Sequence, residues 1–166
     1  MGDKEAEPLS DEKVELSVTI PLDADGFLRR ECPTCERELK WMPTPEGVEP
    51  VPVPDGGYFC PYCGVQAGPE AWHTRAQVEY FQRIAKARVV DPMLVKFGND
   101  IRQMGRRSRG VFSVSIEHER SDEPEPLSDD DDMRRVDFEC HPSEPIKVLQ
   151  DWNGAVRCII CDQAEA

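Results

Sequence analysis

The chain alternates between short runs of period two and one long stretch of helical period. VELSVTIPL, Val14 to Leu22, reads as a strand, and Asp25-Gly26 as the turn after it. GFLRRE leads into a cysteine pair and RELKW leads out of it. The segment from Met42 to Gly57 is rich in proline and keeps neither period, so it reads as a loop. Helical period starts after Thr74. Thr74 and Gln77 have the spacing of a capping box, and Val78, Phe81, Ile84, Ala85 and Val89 recur at helical intervals. Asp91-Pro92 predicts a break and a restart, with Asp91 as N-cap and Pro92 at the first helical position. Leu94, Phe97, Ile101 and Met104 continue the pattern, and with Val90 they form a short heptad-like seam. GVFSVSIEHE, Gly110 to Glu119, alternates as a strand does. RSDEPEPLSDDDDM follows as an acidic linker or long hairpin loop, and RRVDFECH, EPIKVLQ and GAVRCIIC read as three short strands.

Composition narrows what such a chain can build. Of 166 residues 32% are charged and 15 are proline, which leaves material for only small cores, and small cores need a staple. Seven cysteines are available for it. An odd number fits a disulfide framework poorly, and the opening MGDKEAEPLSDEKVELSV has neither the basic nor the apolar region of a secretory leader. The expectation is a cytoplasmic chain, where Cys-x-x-Cys means metal or redox chemistry. No run is long and apolar enough to span a membrane. The formal net charge of −13 argues against general nucleic-acid binding by the whole chain. The charge is uneven, however. Arg75 to Arg109 holds nine basic residues against three acids, and Glu117 to Asp132 holds nine acids against one arginine.

Cys32, Cys35, Cys60 and Cys63 form C-x2-C…C-x2-C, with 24 residues between the pairs. Two intervening residues let both thiolates of a pair face one point from a tight turn. Pro33 and Pro61 pre-set φ for that turn, and Gly64 permits the positive φ that aims backbone N–H groups at sulfur. Glu36 stands where the first turn would want glycine, so that turn must be strained or different. Four thiolates close a tetrahedron, which favours structural zinc. DGFLRRECPTCERELKW followed by GGYFCPYCG resembles the zinc-ribbon modules of small, uncharacterised bacterial proteins, and also the rubredoxin-like group. The resemblance covers about a quarter of the chain. It implies a ribbon fold with these four cysteines as ligands and implies no activity. Iron, carrying one electron as in a rubredoxin, is the competing metal at this site.

Cys140, His141, Cys158 and Cys161 read as a degenerate second copy, a Cys3His site with 17 residues between Cys140 and Cys158. Neighbouring strand residues point to opposite faces, so Cys140 and His141 ligate together only if the backbone turns, as Pro142 favours. The alternatives are three ligands of the four, a solvent-facing His141, substitution by His118, Glu139 or Asp162, or an exchange of ligands between the two sites. His73 reads as a packing residue before the helix, and His118 as a solvent-facing strand residue. No nucleophile–base set or phosphate loop stands out, and an enzyme is not expected.

Arg83, Lys86, Arg88, Lys96, Arg102, Arg106, Arg107 and Arg109 are the candidate partner-binding residues, set against the blander reading of a solvated helix face. The aspartates from Asp129 to Asp132 are candidates to fold onto that basic face and mask it. The expected fold class is α+β, with small zinc-ribbon β units flanking a helical pair. Its parts are a disordered acidic tail (1–16), a first ribbon (17–72), the basic helical pair (73–109) and a second ribbon-like unit (110–166) with an acidic loop over 119–133. The expected function is a non-enzymatic adaptor or regulatory binding protein with two structural zincs and a protein partner. Nucleic-acid binding through the basic helices and rubredoxin-like electron transfer are the alternatives, and the oligomeric state is open.

Overall fold

The computed structural model describes residues 15–107 and 118–165. Residues 1–14 of the tail expected over 1–16, and most of the strand expected at 110–119, lie outside those residues. The described chain is α+β. Strands β1 (Leu28–Glu31) and β2 (Glu38–Trp41) form a hairpin around the first cysteine pair, and β3 (Tyr58–Phe59) and β4 (Gln66–Ala67) form a smaller one around the second. A 3-10 turn (Pro69–Trp72) precedes α1 (Arg75–Ala85), a π turn (Lys86–Val90) and α2 (Asp91–Arg107). Strands β5 (Met133–Val136) and β6 (Ile146–Leu149) flank Cys140 and His141, and β7 (Val156–Arg157) and β8 (Ala164–Glu165) flank the last pair.

The chain divides into two compact units, Thr19–Arg83 with Pro124–Ala166, and Met1–Val18 with Ile84–Glu123. The first holds every described strand. Where the sequence suggested two ribbons set apart, their long hairpins share one antiparallel sheet in the order β1-β2-β6-β5. Neither hairpin has enough apolar surface to form a core by itself, and pairing β2 with β6 pools what they have. The register places Arg29, Lys40, Lys147 and Arg135 in one row across all four strands. Period-two alternation then sends Leu39, Trp41, Ile146 and Val148 to the opposite face. There they join Tyr62, Trp72, Phe138, Val156, Ile159 and three of the cysteines in the core. Gly57 is required where the β3–β4 hairpin closes: at φ 102° a Cβ would stand 1.9 Å from the Ala67 carbonyl oxygen.

Two expectations change in detail. Residues 15–22 belong to no strand, although exposed and half-buried positions still alternate from Glu15 to Ile20. The helical pair is a single helical run from Arg75 to Arg107. Proline has no N–H and its ring crowds the carbonyl four residues back, so Pro92 ought to break the helix. The π turn absorbs the conflict. The Asp91 N–H reaches the Lys86 carbonyl five residues back, and Asp91 keeps helical dihedrals. The start of the run is the one expected: Thr74 N–H donates to Gln77 Oε1 and Gln77 N–H to Thr74 Oγ1, both at 3.1 Å. The seam residues Leu94, Phe97 and Met104 are exposed, as is Met93.

Candidate metal centres

Three of the four ligand turns share one backbone design. In each, the N–H after the second cysteine donates to the carbonyl of the first: Glu36 to Cys32, Gly64 to Cys60, Asp162 to Cys158, at 2.9–3.0 Å. The N–H of the first cysteine donates to the residue five on, Arg37, Val65 or Gln163, at 2.8–3.0 Å. That loop needs a left-handed residue after the second cysteine, and φ is 55° at Glu36, 71° at Gly64 and 59° at Asp162. Glu36 therefore carries the strain its sequence position implied. The turns aim amides at sulfur: Thr34 and Cys35 N–H lie 3.4 Å from Cys32 Sγ, and Tyr62 N–H 3.5 Å from Cys60 Sγ. The fourth turn is different, closing with Glu144 N–H on the His141 carbonyl at 3.0 Å. This brings Cys140 and His141 to one side, as the sequence required for joint ligation.

The eight side chains gather into two groups. Cys32, Cys35, Cys60 and Cys63 form one, and Cys140, His141, Cys158 and Cys161 the other; within each, the ligand atoms lie within 4.8 Å of one another. A tetrahedron of metal–sulfur bonds about 2.3 Å long has edges of about 3.8 Å. Cys32 and Cys63 Sγ are 3.8 Å apart, as are Cys35 and Cys60 Sγ. Replacing one sulfur by a nitrogen at about 2.0–2.1 Å shortens its edges to about 3.5 Å. Cys158 Sγ stands 3.5 Å from His141 Nδ1, the length of such an edge, while Cys161 Sγ and Cys140 Sγ are 3.5 Å apart, a little inside a sulfur–sulfur edge. All seven cysteines are free thiols at these distances. Both groups fit a tetrahedral metal ion.

Burial pushes the thiols of Cys32, Cys60 and Cys158 up, and that of Cys140 to about 12. Cys35 and Cys161 feel the same burial but are lowered by the backbone N–H groups of Arg37 and Gln163 and by neighbouring sulfurs. Packed sulfurs resist joint ionisation until a cation stands among them. A divalent metal supplies that charge and displaces the protons.

The two groups are linked through their own turns. Phe59 N–H donates to the Ile159 carbonyl at 2.9 Å and Arg157 N–H to the Pro61 carbonyl at 3.0 Å, a reciprocal pair joining the β3–β4 and β7–β8 hairpins. Tyr62, inside the second cysteine turn, donates its hydroxyl to the Glu38 carbonyl at 2.6 Å and accepts the Leu149 N–H at 2.9 Å. The Arg-Lys-Lys-Arg row and the reciprocal hairpin pair repeat one pattern in both halves of the unit, while the Tyr62 bonds occur on one side.

Behind the sheet lies a charged layer that sequence reasoning did not find. Lys40 and Lys147 face each other across β2 and β6, and both are buried. Asp23, buried as well, accepts from Lys147 at 2.9 Å and from Lys40 at 3.2 Å. The run Asp129–Asp132 folds here and not onto the basic helix. Asp129 meets Arg29 and Lys40, Asp131 meets Lys147, Asp132 meets Arg29, and the Asp130 carbonyl accepts from Lys40. For Asp129, Asp131 and Asp132 the masking expectation is thereby corrected, while Glu123 of the same acidic loop does pair with the helix, at Arg88. Like-charged lysines directly opposed in a sheet need neutralising locally, which the aspartates do. In sequence the lysines sit at alternate-face positions of ordinary short strands, with nothing to set them apart from solvated ones.

Arg83, Lys86, Arg88, Lys96 and Arg102 are exposed, and the π turn between Lys86 and Val90 interrupts the helical register that would align them. Arg88 pairs with Glu123. Arg109 and the side chains of Arg106 and Arg107 lie outside the described residues. His118 is not a free strand residue: its Nε2 lies 2.8 Å from Asp91 Oδ1, while Asp91 Oδ2 takes the Ser121 N–H at 2.6 Å. Asp91 thus ties down the segment after residue 117 and does not cap a helix.

No protein-family model, curated protein or solved structure matches the chain. Among the described residues, no helix is long and apolar enough to cross a membrane.

Proposed function

We propose that the chain is a non-enzymatic binding protein in which two zinc ions hold a duplicated zinc-ribbon unit, leaving the helical segment to engage a protein partner. One observation carries the reading: each candidate site collects four protein ligands, so neither keeps an open position for water or substrate. Such closed sites serve folding, and in small zinc modules the metal contributes on the order of 10–16 kcal/mol. At the second site zinc is favoured over iron because the set is Cys3His, a common structural zinc set, while rubredoxin-like iron takes four thiolates; at the first site zinc is favoured as the metal of a structural pair. The partner surface we favour is the exposed apolar stripe of Met93, Leu94, Phe97 and Met104, four residues on one stretch of α2.

Elemental mass spectrometry on the untagged, cytoplasmically expressed chain tests the metal. Two zincs per chain are expected. One iron with visible thiolate-to-metal absorption would move electron transfer ahead of binding, and no metal would end the reading. Nucleic-acid binding that falls steeply with salt would replace the protein partner by nucleic acid.

A further inference from the structure

The two metal centres are not separate modules, because the ligand turns themselves carry the contacts between them. Phe59 immediately precedes the ligand Cys60, and its N–H is satisfied by Ile159, which immediately follows the ligand Cys158. Arg157 precedes Cys158, and its N–H is satisfied by Pro61, which follows Cys60. Each bond joins a residue beside a ligand of one site to a residue beside a ligand of the other. Tyr62, between Cys60 and Cys63, adds a third link by bonding the backbone of β6, the strand that leaves the Cys140–His141 turn.

Resting on the two-metal reading above, we propose that the centres load cooperatively: metal at either site raises the affinity of the other. An empty turn must order its backbone, including a left-handed Glu36 or Asp162, without metal–ligand bonds to offset the cost. Filling the first site fixes Phe59, Pro61 and Tyr62 in the positions that receive the second site's turn. The second metal then has less ordering to supply, which is positive coupling through shared conformational entropy. Linkage requires the coupling to be reciprocal, with one factor acting in both directions. Couplings between sites are typically roughly 5–150-fold, and the factor expected here is taken from that range.

Cobalt(II) is the probe, because a four-sulfur site and a three-sulfur, one-nitrogen site give separable visible bands. Each site's affinity is measured by chelator competition on the full chain, in the wild type, in His141→Ala and in Cys63→Ser. His141→Ala changes no atom of the first site, yet should weaken its cobalt affinity at least fivefold. Cys63→Ser should weaken the second site by the same factor. His141→Cys keeps the second site filled and should leave the first at wild-type affinity, which separates loss of coupling from general damage. Tyr62→Phe retains every ligand and the buried ring; should a ligand variant fail to fold, this variant is expected to lower the wild-type affinity of both sites together. Affinities at the intact site within twofold of wild type in His141→Ala and Cys63→Ser would overturn the coupling while leaving the two-metal reading in place. If the wild type takes up no cobalt, both fall.

Discussion

Asp23→Asn removes one charge from the layer behind the sheet, and the structure sets the size of the effect. The Asp23 carboxylate has no solvent exposure and holds both buried lysines. It also accepts the N–H groups of Asp25 and Phe27 at 3.0 and 2.9 Å. Burial alone would raise its pKa, but the Lys147 ammonium, the Phe27 N–H and Lys40 outweigh burial and bring it from 3.8 to about 2. At 1.36 kcal/mol per pH unit, that difference is worth about 2 kcal/mol of stability at neutral pH. An amide keeps the two backbone bonds but leaves Lys40 and Lys147 opposed, with only the more exposed Asp25 and Asp131 on Lys147, and Asp129 and Asp132 on Lys40. The expected loss is therefore about 2 kcal/mol. Urea unfolding of the metal-saturated chain measures it. Trp41, Trp72 and Trp152 all lie in this unit and report through fluorescence, with a midpoint lower by about 1–2 M. The sign of the pH dependence follows from the lowered pKa. The carboxylate's contribution is complete above the ordinary value of 3.8 and is lost only as pH falls through about 2. The difference between wild type and variant should therefore be level from pH 8 to pH 5. Adding Lys147→Met should recover part of the loss, because one of the two opposed lysines is replaced by an apolar chain beside the Phe27 ring. A loss under about 0.5 kcal/mol, or a gap that slopes between pH 8 and 5, would refute the buried-charge account.

Glu36→Gly relieves a left-handed residue at the cost of chain entropy, and should be neutral to stabilising by up to about 1 kcal/mol in thermal melts; a clear loss would show a role for its carboxylate. Asp129→Asn takes a buried partner from Arg29 and Lys40, so it should cost about 1–3 kcal/mol in the same urea assay and leave nucleic-acid affinity unchanged in a salt-series binding experiment. Asp91→Ala frees His118 and the Ser121 amide. Faster hydrogen exchange at Ser121 and faster proteolysis within residues 118–123 are expected, with unfolding of the strand-bearing unit unmoved.

What the residues determined alone is local. A Cys-x-x-Cys turn is closed by backbone bonds spanning five or six residues, and the Thr74–Gln77 box by atoms three residues apart, so both were legible without a fold. The candidate ligand pairs were legible for the same reason, since each turn presents its own pair, and the strain at Glu36 was readable from the glycine missing there; which pairs come together is decided by the fold. The tertiary structure decided everything that depends on register between distant strands. Pairing Lys40 with Lys147 brings together positions 107 apart, and that pairing turns two ordinary alternate-face lysines into a buried layer. It also redirects the aspartates at 129–132, because an ion pair goes to the charges the fold leaves least solvated, and those lie behind the sheet. Pro92 shows the same division. Proline chemistry sets the conflict with the helix, while a π turn resolves it, and a turn with one extra residue leaves no mark in a pattern read at helical period.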